Sequence, residues 1–124
     1  MNPQPSRAVE LQKRFTSFAA QIVGVCPKLN RTVEGRHISK QILRSATATA
    51  ANYGEARGAE SRSDFIHKLG IVLKELNETA VWLELIEQTS LLSADLTGPI
   101  LAENQELCRI IAASLRTARG IERP

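Results

Sequence analysis

Eight basic side chains mark the chain: Arg7, Lys13, Arg14, Lys40 and Arg44 in its first half, and Arg109, Arg116 and Arg119 near its C-terminal end. Guanidinium and ammonium groups hold phosphates and carboxylates through charge-assisted hydrogen bonds. Arg109 and Arg116 are seven residues apart, so a helix would carry them on one outer face, with Arg119 beside them. If the first and last helices are neighbours, Lys13 and Arg14 join that face. The candidate nucleic-acid-binding set is therefore Lys13, Arg14, Lys40, Arg109, Arg116 and Arg119. No aromatic residue interleaves with these arginines, so the expected mode is phosphate contact without strong sequence preference.

Other chemistry has little to work with. His37 and His67 are not at an i,i+4 spacing, and neither has a cysteine or carboxylate cluster beside it, so no metal site is expected. Cys26 and Cys108 stand 82 residues apart with no CxxC, which reads as two free, buried thiols in a reducing cytoplasm. Arg44, Asn52 and Glu55 fall close to one helical face, in a segment otherwise filled with small residues. A network that fixes helix register or a subunit contact is one reading of them, and a ligand pocket is the other. Catalysis by Glu55 would need a partner acid, base or metal that the sequence does not supply. No enzyme and no cofactor is expected. Trp82 flanks an apolar stripe and reads as core edge or subunit contact.

Charge is unevenly spread along the chain. Residues 1–57 carry nine Lys/Arg against three Asp/Glu, residues 58–108 three against nine, and residues 109–124 four against one. The plain reading is ordinary solvated helix faces. The sharper one is an electropositive surface made by the first half and the C-terminal end, suited to a polyanion or an acidic partner. No apolar run approaches the roughly 20 residues of a membrane span, and residues 1–6 carry two prolines and no apolar core of a signal peptide. A cytoplasmic protein is expected.

These side chains must be positioned by helices. At 124 residues, with 43% apolar residues but only 4% aromatic ones, the chain suits one aliphatic, helix-on-helix core. The longest signal runs from Ser61 to Ser90. Phe65, Leu69, Val72, Leu76, Thr79, Leu83 and Ile86 recur at alternating steps of four and three, and Ile66, Leu73 and Ala80 widen the stripe. Ser61 with Asp64 gives this helix a capping box. A first helix reads from Ser6 as N-cap through Ala8, Leu11, Phe15, Phe18, Ile22 and Val25, and Pro27 predicts its end near Cys26. Lys28–Gly35 reads as a linker whose Leu29 and Val33 tuck onto the core. A second helix is expected over Arg36–Ala56, with Ile38, Ile42, Ser45, Ala46, Thr49 and Tyr53 inside. Its tract of small residues from Ser45 to Ala51 predicts a close crossing against the long helix. A last helix starts at Asp95 or Thr97, takes Pro99 in its first turn, turns Leu101, Asn104, Cys108, Ile111, Leu115 and Ala118 inward, and stops at Gly120. The expected architecture is all-α, an antiparallel up-down-up-down four-helix bundle, one domain over residues 1–124 with frayed tails at 1–6 and 120–124.

The run from Gln41 through Arg44 and Ala46, then Asn52 and Glu55, then Asp64 with Phe65 and Leu69, then Glu78, resembles a known family over roughly residues 8–118. These are the four-helix-bundle proteins encoded within intervening sequences of bacterial 23S rRNA genes. The chain departs from the commoner pattern at Ala56, Ala59, Lys74 and Glu75. The resemblance implies a four-helix bundle without established enzymatic activity, often assembled as a ring-like homopentamer. It assigns Gln41, Arg44, Asn52, Glu55, Phe65, Glu78 and, by the reading above, Trp82 to structural or interface roles. A related branch, the accessory variability determinants of diversity-generating retroelements, is similar to a basic pentameric barrel that works with a reverse transcriptase and nucleic acid. Two functions follow as expectations. One is a homo-oligomer that binds RNA or DNA weakly. The other is a scaffold for a protein partner, such as an accessory subunit of a reverse transcriptase.

Overall fold

A computed structural model of the protein describes residues 6–120 and contains four α-helices, with no strand among the described residues. They are α1 (Arg7–Leu29), α2 (Val33–Arg57), α3 (Arg62–Thr89) and α4 (Ala94–Ala118). The side-chain oxygens of Ser6, Thr32 and Ser61 each accept the backbone N–H three residues on, at 3.1, 2.9 and 3.0 Å, so three helices start on a built N-cap. Asp64, the far member of the expected capping box, reaches the backbone N–H of Glu60 at 3.4 Å rather than that of Ser61. Ser90 closes α3 in the left-handed region at φ 56°, and Gly120 follows α4 at φ 75°. Of the expected frayed tails, residues 1–5 and 121–124 lie outside the described residues.

Cross-helix contacts set the topology. Cys26 and Gln12 of α1 meet Ser39 and Ala50 of α2. His37, Arg44 and Glu55 of α2 meet Trp82, Glu78 and Lys68 of α3. Leu76 and Glu87 of α3 meet Asn104 and Thr97 of α4. In each pair one index falls as the other rises, so consecutive helices are antiparallel and the bundle is up-down-up-down. The backbones of the diagonal pairs stay more than 8 Å apart, and α1 approaches α4 only lightly compared with the three sequential pairs. One core cluster draws on all four helices, with Phe15, Ile22, Ile42, Leu69, Leu76 and Ile111 among its sealed members. The α3 stripe is buried as its spacing predicts, except that Phe65 is only half-buried.

Three boundaries differ from the sequence reading. α1 does not stop at Cys26 but runs through Pro27 to Leu29. The proline removes the donor that would meet the Val23 carbonyl, and Val23 is 48% exposed, on a side where water can serve that carbonyl. The extra turn brings Leu29 into the core at 1% exposure. The expected linker shrinks to three residues, and α2 starts at Val33, which is 70% exposed instead of tucked in. Gly35 makes so short a turn possible: a Cβ there would lie 1.8 Å from the Leu29 carbonyl oxygen. α4 begins at Ala94, so Pro99 sits beyond the first turn, again on an exposed position. Its inner stripe keeps Asn104, Ile111 and Leu115 as expected but adds Ile100 and Leu107, while Leu101, Cys108 and Ala118 are only half-buried.

Candidate functional site

The light contact between α1 and α4 leaves an open seam. A cleft of about 790 Å³ occupies it toward the N-terminal end of α1, and a smaller one of about 360 Å³ continues it past Lys13 and Pro99. Arg14 lines both. Its Nε and Nη2 donate to the two carboxylate oxygens of Glu103 at 3.0 and 2.7 Å, a bidentate clasp from α1 to α4. That hydrogen bond first, and the nearby charges of Glu103 and Glu106 after it, raise the Arg14 pKa above its ordinary value against the opposing effect of burial. On α4, Arg109 pairs with Glu106 one turn away, which raises the arginine and lowers the carboxylate.

The larger cleft joins groups that the sequence keeps apart. Arg7, Arg14 and Arg109 stand around it, while Leu11, Tyr53, Phe65 and Ile110 supply apolar wall. Tyr53 stacks on Phe15 with ring centroids 5.1 Å apart. Burial raises the Tyr53 pKa, and Arg57 and Arg7 oppose the rise. The bundle topology also gathers the start of α1, the end of α2, the start of α3 and the end of α4 at one end, and so places Arg7, Arg57, Arg62, Arg116 and Arg119 there. Arg62 Nε donates to the Ala118 carbonyl at 2.6 Å, tying α3 to the end of α4.

The predicted basic set is therefore divided. Lys13, Arg14 and Arg109 share the α1–α4 seam, and Arg116 and Arg119 sit at its basic end. Lys40 is exposed on α2, away from that seam. Sequence reading missed the partners Glu103 and Glu106. The i,i+3 spacing of Glu106 and Arg109 signals the second pair. The first joins residues 89 apart and leaves no local trace.

Of the residues with expected structural roles, Phe65 lines the larger cleft, while Arg44, Glu55, Glu78 and Trp82 lie elsewhere, along the outer edge between α2 and α3. Arg44 bridges to Glu75 at 3.2 Å and to Glu78 by a short contact, while Trp82 Nε1 donates to the same Glu78 carboxylate at 3.0 Å. Those two donors, Trp82 first, hold the Glu78 pKa below the ordinary carboxylate range. The Arg44 side chain is 52% exposed, so this clasp lies at the surface of the chain. Glu55 pairs with Lys68 at 2.7 Å, and Asn52 turns back to the Ala48 carbonyl of its own helix. Gln41 is half-buried and makes no side-chain hydrogen bond among the described residues. His37 sits edge-on to Trp82 at 6.2 Å. Both cysteines are free thiols, Cys26 buried and Cys108 half-buried, and burial raises the Cys108 pKa. Among the described residues no three His, Cys, Asp or Glu side chains gather as a metal ion would require, and no helix is long and apolar enough to cross a membrane.

Among curated proteins nothing matches this chain. A crystal structure of a protein with unknown function from the S23 ribosomal protein family of Bacteroides thetaiotaomicron is similar at 36% identity and a TM-score of 0.78, over 86% of this chain and 98% of that one. The family described as 23S rRNA-intervening sequence protein matches residues 7–113, from the first residue of α1 well into α4. With the four-helix bundle in place and the match spanning nearly all of it, the chain belongs to the 23S rRNA-intervening sequence protein family.

Proposed function

We propose that this chain is a non-enzymatic, homo-oligomeric bundle that binds RNA or DNA weakly, and without strong sequence preference, through the α1–α4 face and its basic end. The observation that carries the reading is the convergence of Arg7, Lys13, Arg14 and Arg109 on one seam, continued at one end by arginines from all four helices. The same geometry argues for weakness. Glu103 and Glu106 already hold the two central guanidiniums, so a phosphate must compete for them. An oligomer would repeat the patch and raise avidity without tight binding by any one subunit. Free thiols suit a reducing cytoplasm.

Filter binding of an unstructured RNA across a salt series tests this reading. Affinity should fall steeply with salt. Arg109→Glu with Arg116→Glu should weaken binding uniformly across sequences and flatten the salt slope by about one for each phosphate left unneutralised. No retention of RNA at low salt, or an unchanged slope in the double variant, overturns it.

A second reading, a scaffold docking a protein partner such as a reverse transcriptase, is supported by a different surface. Val81 and Leu85 are 58% and 39% exposed one turn apart on α3, beside the half-buried Trp82. If basic helices also pair with the acidic α3 of a neighbour, light scattering with and without salt separates the two: an assembly that dissociates in salt and retains no nucleic acid favours the scaffold.

A further inference from the structure

We propose that the larger α1–α4 cleft binds a small organic anion, one acidic head on an apolar or aromatic body. At about 790 Å³ it falls within the range of small-molecule sites, roughly 300–1,000 Å³. Its walls divide as such a ligand would require. Leu11, Phe65 and Ile110 offer apolar surface, and the half-buried Phe65 ring presents area that the core does not cover. The head would meet Arg7, Arg14 and Arg109. Each paired arginine spends Nε and Nη2 on its glutamate. A guanidinium carries five N–H donors in a rigid fork, so Nη1 of both Arg14 and Arg109 is left for a ligand. The two glutamates then act as positioning groups that hold the forks still. Arg7 has no carboxylate within ion-pair distance among the described residues. Glu10 also lines the cleft and disfavours a dianion, so a single negative charge fits best. The proposal does not rest on the nucleic-acid reading, and its test contains no nucleic acid.

The test is isothermal titration of the full chain with decanoate, with cyclic AMP as a nucleotide monoanion, and with decylammonium as a cation of matched length. Decanoate or cyclic AMP should saturate one site per chain, and decylammonium should bind at least about tenfold more weakly. Arg109→Gln alters an exposed side chain and should cost the anion about tenfold or more in affinity. Ala113→Leu, which adds bulk to the cleft wall, should cost a similar factor with every charge kept. Lys40→Gln should change nothing. Binding of decanoate alone assigns a lipid-derived acid, and binding of cyclic AMP alone assigns a nucleotide. Absence of binding by either up to roughly 1 mM, equal binding of the cation, or an Arg109→Gln affinity within twofold of the parent overturns the proposal.

Discussion

Two glycines illustrate how single positions differ inside one fold. Gly35 is buried where α2 begins against the end of α1, and a methyl group there would stand 1.8 Å from a main-chain oxygen. Gly35→Ala therefore forces the turn apart. Urea unfolding should show a loss toward the upper end of the ~1–3 kcal/mol typical of overpacking. At Gly24, inside α1, an added Cβ meets nothing within 4 Å. Gly24→Ala should stabilise by roughly 0.5–1 kcal/mol, because alanine gives up less backbone freedom in a helix. Glu78 adds a pH dependence. Its carboxylate is held below the ordinary range by Trp82 and Arg44, so its contribution is present above the unfolded-state pKa, near 4.3, and is lost as pH falls through the lower folded value. Glu78→Gln should be less stable than the parent at pH 6, and the gap should close toward pH 3. A gap that stays constant with pH would assign the effect to packing alone.

At the scale of elements, periodicity carried most of what could be read. The α3 stripe and the inner face of α2 were legible because each buried position recurs with the helical period and the caps flank it. Two of the missed boundaries, the end of α1 and the start of α4, involve the same physics. Pro27 and Pro99 each remove one backbone donor, and each sits on an exposed side where the orphaned carbonyl can meet water, so the helix survives a residue that composition marks as a breaker. The small-residue tract proved a close approach, since Ser45 of α2 and Thr79 of α3 share a buried hydroxyl contact at 2.8 Å. Thr79 in turn donates to the Glu75 carbonyl at 2.8 Å, which leaves Ser45 as donor to Thr79. Thr79→Val should then destabilise by about 1 kcal/mol by removing that acceptor and leaving Ser45 only the longer contact to the Ile42 carbonyl at 3.4 Å. Adding Ser45→Ala should recover part of the loss, and a double-mutant cycle measures the coupling. Additive losses would mean the two hydroxyls act independently.

For the whole molecule, what matters is the inequality among the four helix seams, and no single-helix pattern reveals it. The sequence allowed Lys13, Arg14 and Arg109 to share a face only if α1 and α4 were neighbours. The fold makes them neighbours but leaves them lightly packed, so the shared face is a cleft rather than a closed seam. Tyr53 and Phe65 reach that cleft from α2 and α3, which is why aromatic surface beside the arginines was invisible in a linear reading. The same inequality predicts where the bundle opens. α2 and α3 each pack fully on two neighbours, whereas α1 and α4 each have one full and one light seam. Native-state hydrogen exchange should find the slowest amides in α2 and α3, with α1 and α4 exchanging through lower-energy openings. The bidentate Arg14–Glu103 pair is the side-chain hydrogen bond that joins α1 to α4 among the described residues. Arg14→Gln should therefore speed exchange in α1 and α4 while leaving the α2–α3 pair at its parental protection. If the variant lowers protection equally in all four helices, the bundle opens as one unit, and the cleft is a rigid groove rather than a seam that can part.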